Sequence, residues 1–296
     1  MDLPDPITAL GEQIASGGAI EPAPELFEAY EVFSAELAHI FVRPWLAVDH
    51  HSRLGEDGAY FRFDVGSRSV VLARERPDCI HALRNACLHA GYRVCEEEDG
   101  KADHLFCHYH GWDYALDGRL TDPMLRPDEP DRSRFRLPRY AMQIKRGLIF
   151  VDLSKAGPNP PEPGALDLGS VPEDLAGRIV TRRQRYPTTW NWKPLRQLLW
   201  QRKELVFAAG ECDAAVEFGA LSLLAVQGED AVLLRLVPRF PGHTDIELVR
   251  IAPPGTPMSG EDADRVAAAL RETAPPQTLP RPFYEWYWAS LSPAAN

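Results

Sequence analysis

Cys87-Leu88-His89 and Cys107-His108-Tyr109-His110 each place a thiol and an imidazole within four residues, and 17 residues separate the two segments. Groups this far apart along the chain meet only if it doubles back, so the two pairs have to stand on neighbouring loops. Two thiolates and two neutral imidazoles arriving from two sides suit a binuclear iron–sulfur cluster, with sulfur ligands on one iron and nitrogen ligands on the other. Replacing two thiolates by imidazoles removes negative charge and makes such a cluster easier to reduce. A tetrahedral structural zinc is the rival reading, since it also accepts two Cys and two His. Zinc fingers usually keep the cysteines in one pair and the histidines in the other, whereas here both pairs are mixed.

The sequence around the pairs reads as short strands between Trp45 and Leu153, at Tyr60 to Phe63, Ser69 to Leu72, His104 to Phe106 and Trp112 to Leu116. Asp117-Gly118 is a hairpin turn signal, and Gly147 to Val151 reads as a closing strand. Residues 1–22 mix Pro, Gly and Ala and are expected to form a loosely ordered lead-in. From Pro24 onward, Leu26, Tyr30, Phe33, Leu37, Ile40 and Phe41 recur at helical steps, which predicts a helix ending near Arg43-Pro44. The run from Gly157 to Gly164 holds four prolines and reads as a linker, so the boundary is expected after Leu153. Beyond it the pattern gives a helix from about Trp192 to Ala208 and strands at Leu221 to Val226, Val232 to Leu236 and Ile246 to Ile251. A helix from about Asp262 to Thr273 follows. The expected organisation is a lead-in and helix over 1–44, an all-β domain over 45–153 and a reduced α+β domain over 154–296.

Composition narrows the partners. Over 296 residues the formal net charge is -11, which argues against a nucleic-acid or anionic-membrane binder, because both require clustered Lys and Arg. No apolar run reaches 18 residues, and residues 1–10 have no basic start followed by an apolar stretch. The expected compartment is the cytoplasm. Cys79, Cys95 and Cys212 show no partner pattern and read as small core residues in a reducing environment.

Cys87-Leu88-His89, Cys107-His108-Tyr109-His110-Gly111-Trp112 and the following Tyr114 to Leu120 resemble the Rieske domain of ring-hydroxylating oxygenase α subunits. The lead-in Ile40-Phe41-Val42-Arg43-Pro44-Trp45 is similar too, and the resemblance covers about residues 24–153. It implies a Rieske [2Fe-2S] cluster ligated by Cys87, His89, Cys107 and His110, with Tyr109 within hydrogen-bonding reach and Trp112 packed alongside. A ferredoxin or a flavin reductase is the implied electron donor. One departure is Ala90, where the family usually has arginine, which bears on a contact to a partner.

The resemblance fails further on. Active members carry a helix-grip-like second domain with a mononuclear iron bound by two histidines and a carboxylate. Asn191-Trp192-Lys193 resembles the segment that opens the helix carrying those ligands. Counting from there, Gln201, Glu204 and Ala209 fall at the bridging acid and the two histidines; with one extra residue the positions become Arg202, Leu205 and Gly210. Neither count yields an imidazole, and residues 154–296 contain a single histidine, His243. Glu204, Asp245 and Glu247 could be combined with His243, but isolated acidic residues are usually solvated faces. This chain is therefore expected to lack a mononuclear iron and a catalytic residue of its own. Family α subunits form rings in which the cluster of one subunit faces the iron of the next, so the leading expectation is a subunit that relays electrons to a catalytic α-type relative. A complete oxygenase or demethylase with unusual ligands, and a structural subunit with a vestigial cluster, are the alternatives. The aromatic run Phe283-Tyr284-Glu285-Trp286-Tyr287-Trp288 is expected to close the core, with docking of a neighbouring subunit as the other reading.

Overall fold

The computed structural model describes residues 3–43, 45–123, 135–158, 165–207, 211–256, 262–276 and 278–292. The chain forms two compact units, one built from residues 1–43, 169–171 and 181–296 and the other from 44–168 and 172–180. The lead-in expected to be loosely ordered is a helix, α1 (Asp5–Ser16), with Ile7 and Leu10 fully buried. Its composition hid it: a proline at the first turn and a left-handed Gly17 at the end are caps, while Gly11 provides the space for a ring. A Cβ on Gly11 would stand 2.6 Å from the Trp288 ring, so only glycine permits this approach. The next expected helix is broken. It starts as α2 (Glu25–Glu28), turns extended at Ala29, resumes as α3 (Tyr30–Glu36) and widens into a π-helical turn over Leu37–Phe41.

The unit of residues 44–168 and 172–180 is built from antiparallel strands: β1 (Leu46–His50), β2 (Ala59–Val65), β3 (Arg68–Arg76), β4 (Cys79–Arg84), β5 (Asp99–Lys101), β6 (His104–Cys107), β7 (Trp112–Ala115), β8 (Leu120–Pro123), β9 (Arg139–Lys145) and β10 (Leu148–Gly157). A seven-stranded sheet runs β1-β10-β9-β4-β3-β2-β5, and a second sheet of three runs β6-β7-β8. Along β2 alternate residues Ala59, Phe61, Phe63 and Val65 are buried, the period of two that one-sided burial requires. One apolar cluster joins Val71, Leu83, Leu105, Tyr114 and Leu137 to Cys87, Cys107 and Trp112, so the Cys-His motif stands directly on the core. β10 runs as far as Gly157, into the stretch expected to be a linker; residues 159–164 of that stretch lie outside the described residues.

The other unit contains β11 (Ile179–Thr188), α4 (Trp192–Gln201), β12 (Ala214–Phe218), β13 (Ser222–Gln227), β14 (Asp230–Phe240), β15 (His243–Ala252), α5 (Asp262–Glu272) and α6 (Arg281–Leu291). The strands form one antiparallel sheet in the order β11-β15-β14-β13-β12. The helix expected to reach Ala208 stops at Gln201, and a single 3-10 turn, Lys203–Val206, follows. At the start of α4, Asn191 accepts from the Lys193 amide as a cap, and buried Lys193 extends its ammonium 2.6 Å from the equally buried Glu36. Glu36 also accepts from Trp192 Nε1 at 2.8 Å and from the Tyr287 hydroxyl at 2.7 Å. Burial lowers the Lys193 pKa, and the Glu36 carboxylate opposes that shift. Phe283, Tyr284 and Tyr287 of α6 are buried around this pair, so the aromatic run does close a core, while Trp286 stands at its surface.

Candidate metal centre

The two Cys-His loops share one backbone design. The Cys87 carbonyl accepts from the Gly91 amide at 2.8 Å and the Cys107 carbonyl from the Gly111 amide at 2.9 Å. Both glycines are left-handed, with φ of 76° and 71°, a conformation that costs glycine little and other residues more. The first loop leaves β4 and the second joins β6 to β7, whose register places Cys107 opposite Trp112. Asn85 braces the first loop from inside. Its Oδ1 accepts from the amides of Val94 and Cys95 at 3.0 and 2.9 Å, and its Nδ2 donates to the Cys95 carbonyl at 2.7 Å. Burial pushes the Cys95 thiol up to about 11, which suits an inert core cysteine.

At the loop tips the donors separate by kind. Cys87 and Cys107 are buried, while His89 is exposed and His110 half-buried. The Cys87 thiol and the backbone amides of Tyr109 and His110 are near enough to act on the Cys107 thiol. The two imidazole rings meet edge to face with centroids 4.4 Å apart, and the Trp112 ring stacks on His89 at 5.2 Å. Trp112 Nε1 is buried and has no acceptor among the described residues. Burial raises the Cys107 pKa; the Tyr109 amide opposes this, and the neighbouring Cys87 thiol adds to it. The hydroxyl that reaches a cysteine sulfur belongs to Tyr114, 3.2 Å from Cys87 Sγ, and not to Tyr109. That hydroxyl also accepts from the Leu88 amide at 3.0 Å, and burial raises its pKa. Tyr109 contributes its amide instead; its ring is 54% exposed and stacks on Tyr92 with centroids 3.8 Å apart. Leu88, Tyr92, Phe106 and Tyr109 together give the tips an exposed apolar rim.

Among the described residues, the positions counted from Asn191 bring no thiol or imidazole together. Gln201 is exposed, Glu204 is paired with Arg202 at 2.9 Å, and Leu205 is partly buried. Ala209 and Gly210 lie outside the described residues. Arg202, Glu204, Leu205, Arg265 and Glu272 line a hollow of about 340 Å³. His243 is exposed at the start of β15, edge-on to Phe240, while Asp245 pairs with Arg239 and Glu247 with Arg185 and Arg235.

Residues 44–139 match the Rieske [2Fe-2S] domain family. A Rieske domain implies a [2Fe-2S] cluster. This domain is homologous to those of Rieske oxygenase α subunits. The N,N-dimethyl phenylurea N-demethylase subunit alpha of Sphingobium sp. (strain YBL2) is 33% identical over 141 residues, 45% of this chain and 30% of that protein. The glycine betaine monooxygenase oxygenase subunit of Chromohalobacter salexigens is 34% identical over 128 residues, 43% of this chain and 29% of that protein. The matched stretch thus spans about 30% of the length of these curated relatives. Likeness of fold reaches further. A quaternary ammonium Rieske monooxygenase crystallised with gamma-butyrobetaine superposes with a TM-score of 0.61 at 16% identity, covering 84% of this chain and 83% of that one. Naphthalene 1,2-dioxygenase from Rhodococcus sp. gives 0.59 at 17% identity, over 99% and 87%. The all-β Rieske domain is therefore followed by a mixed α/β region of the kind found in Rieske oxygenase α subunits. Among the described residues no helix is long and apolar enough to cross a membrane.

Proposed function

We propose that this chain is an electron-relaying subunit of a Rieske oxygenase system, passing single electrons to a mononuclear iron held by a catalytic α-type relative. Cys87 and Cys107 would hold one iron of a [2Fe-2S] cluster, and His89 and His110 the other. Two buried thiols near each other, two adjoining imidazoles and the buried Trp112 Nε1 without an acceptor among the described residues fit such a group. When bound, the cluster supplies reversible one-electron chemistry. The chain's own residues bury the thiols, leave the imidazoles at the surface and aim the Tyr114 hydroxyl at Cys87. The exposed rim of Leu88, Tyr92, Phe106 and Tyr109 suits contact with a partner protein, because aromatic side chains give large contact area at small entropic cost.

The observation that carries this reading is the contrast between a complete cluster motif and a second region whose only histidine is His243. Iron and acid-labile sulfide analysis of the purified chain tests it. Two iron and two sulfide per chain, with turnover only when a catalytic subunit is added, are the expected results; a third iron and oxidation of substrate with a reductase alone would overturn it. A complete oxygenase with unusual ligands is the second reading, favoured by the full-length likeness of fold. The same iron count separates the two. The donor is proposed to be a ferredoxin or a flavin reductase, and the compartment the cytoplasm.

A further inference from the structure

We propose that Glu75, Cys79 and His81 form a second metal site, separate from the Rieske loops, that takes a divalent ion of the zinc class. Cys79 and His81 are two residues apart on β4, so their side chains leave the same face of the sheet. Regular alternation does not bring Glu75 to them. The register passes from Arg74 opposite Ile80 to Arg76 opposite Cys79, leaving Glu75 as the unopposed residue of a bulge, and a bulge re-aims the side chain it carries. Asp78, left-handed with φ of 58°, closes the hairpin and holds the two strand ends together.

The three donors converge. Cys79 Sγ lies 3.3 Å from Glu75 Oε2 and 3.4 Å from His81 Nε2, and that nitrogen is 3.1 Å from the same carboxylate oxygen. Zinc bonds of about 2.3 Å to sulfur and about 2.0–2.2 Å to nitrogen and oxygen place an ion within reach of all three, slightly off their plane. One thiolate, one imidazole and one carboxylate suit zinc and not calcium or magnesium, which take oxygen ligands. The fourth position faces solvent, since the Glu75 side chain is 35% exposed and that of His81 13%. Arg139 is near enough to act on Cys79 and His81, but its guanidinium is held by the Asp117 carbonyl at 2.7 Å and carboxylate at 3.7 Å. Arg76, the other neighbouring cation, adjoins the turn. Among the described residues, this is the single trio of His, Cys, Asp or Glu whose ligand atoms all lie within 4.8 Å of one another. The six residues of β4 span about 20 Å, so the trio and the Cys87 loop stand at opposite ends of one strand.

The test is zinc titration of the cluster-loaded chain at buffered free zinc, with metal counted by mass spectrometry and alkylation of each cysteine by iodoacetamide followed in parallel. The expected result is one zinc per chain and Cys79 alkylation slowed at least tenfold by zinc, with Cys212 unaffected. Cys79→Ser and His81→Ala should each weaken zinc binding at least tenfold while the visible cluster absorption stays unchanged. Equal zinc content in the unsubstituted chain and His81→Ala would overturn the proposal. An unchanged alkylation rate at Cys79 in the unsubstituted chain would do the same, and that arm decides the matter even where a substitution disturbs the hairpin or the cluster.

Discussion

The loops at 87–91 and 107–111 and the segment following α4 are the two places where the sequence resemblance to Rieske oxygenase α subunits implies iron ligands, and they differ in the residues they hold. At the loops both the scaffold and the donors are present: a cysteine, a histidine and a left-handed glycine recur in each. After α4 the positions counted from Asn191 include Gln201 and an Arg202–Glu204 pair, and the sequence has no histidine at either count. What holds the second region is its buried core, in which Lys193, Glu36, Trp192 and Tyr287 are tied together independently of any metal.

The largest effect expected is at the loops. Cys107→Ser removes a thiolate that nothing nearby can replace, and iron, sulfide and visible absorption should all fall to background. Turnover by a reconstituted complex should fall at least a hundredfold. If the complex kept its activity, the cluster would be vestigial and the comparison would lose its functional meaning. The second region should respond through stability instead. Lys193→Ala leaves the Glu36 carboxylate buried and without its cation, a change that typically costs about 3–5 kcal/mol. Urea unfolding followed by tryptophan fluorescence checks this, and the cluster absorption before unfolding should be unaltered. A loss below about 1 kcal/mol would mean that the pair is not the anchor of this core.

The same contrast explains what was legible in the sequence. Donor identity and spacing fixed the loops, because a thiol-imidazole pair has few structural uses and the glycine after each pair completes its turn. Short β-branched and aromatic runs between turn residues made β2, β3, β6 and β7 readable. β5 was not, having three exposed residues and no apolar face, and neither was the bulge that turns Glu75 toward Cys79. The helix α1 was missed because its glycine and prolines read as disorder, although they serve as a ring contact and caps. Tyr114 carried no expectation of its own, since only the β6–β7 register brings its hydroxyl beneath the first loop, 3.2 Å from Cys87 Sγ. Asn85 left no signal at all, because its role depends on amides nine and ten residues away.

A pH effect separates the fold from the site. His50 is fully buried beside Gly147, where a Cβ would meet its ring at 2.2 Å, and its Nε2 lies 3.1 Å from the Leu175 carbonyl. Burial, reinforced by His51 and opposed by that carbonyl, lowers its pKa from 6.5 to about 4. The unfolded chain therefore binds a proton that the folded chain refuses, so stability is full above pH 6.5 and is lost as pH falls toward 4. The shift corresponds to about 3 kcal/mol by pH 4. Thermal unfolding between pH 7.5 and 4.5 should show this loss, and His50→Gln should flatten it; an equally steep curve in the variant would assign the acid sensitivity elsewhere.

The smallest effect sharpens the comparison most, because it separates tuning of the site from its assembly. Tyr114→Phe keeps the buried ring and deletes only the hydroxyl 3.2 Å from Cys87 Sγ. The proposed cysteine and histidine ligands and the backbone around Cys107 remain, so iron content should be unchanged. A hydrogen bond to sulfur favours the more negative, reduced state, and its loss should lower the midpoint potential by roughly 40 mV, the one-electron equivalent of a net bond of about 1 kcal/mol. The Leu88 amide also loses its acceptor, which adds a modest stability cost that unfolding measurements can separate from the potential. Redox titration followed by visible absorption reads the shift. An unaltered potential would show that Tyr114 only supports the first loop, and the site would then be tuned by the Tyr109 and His110 amides, which no side-chain substitution removes.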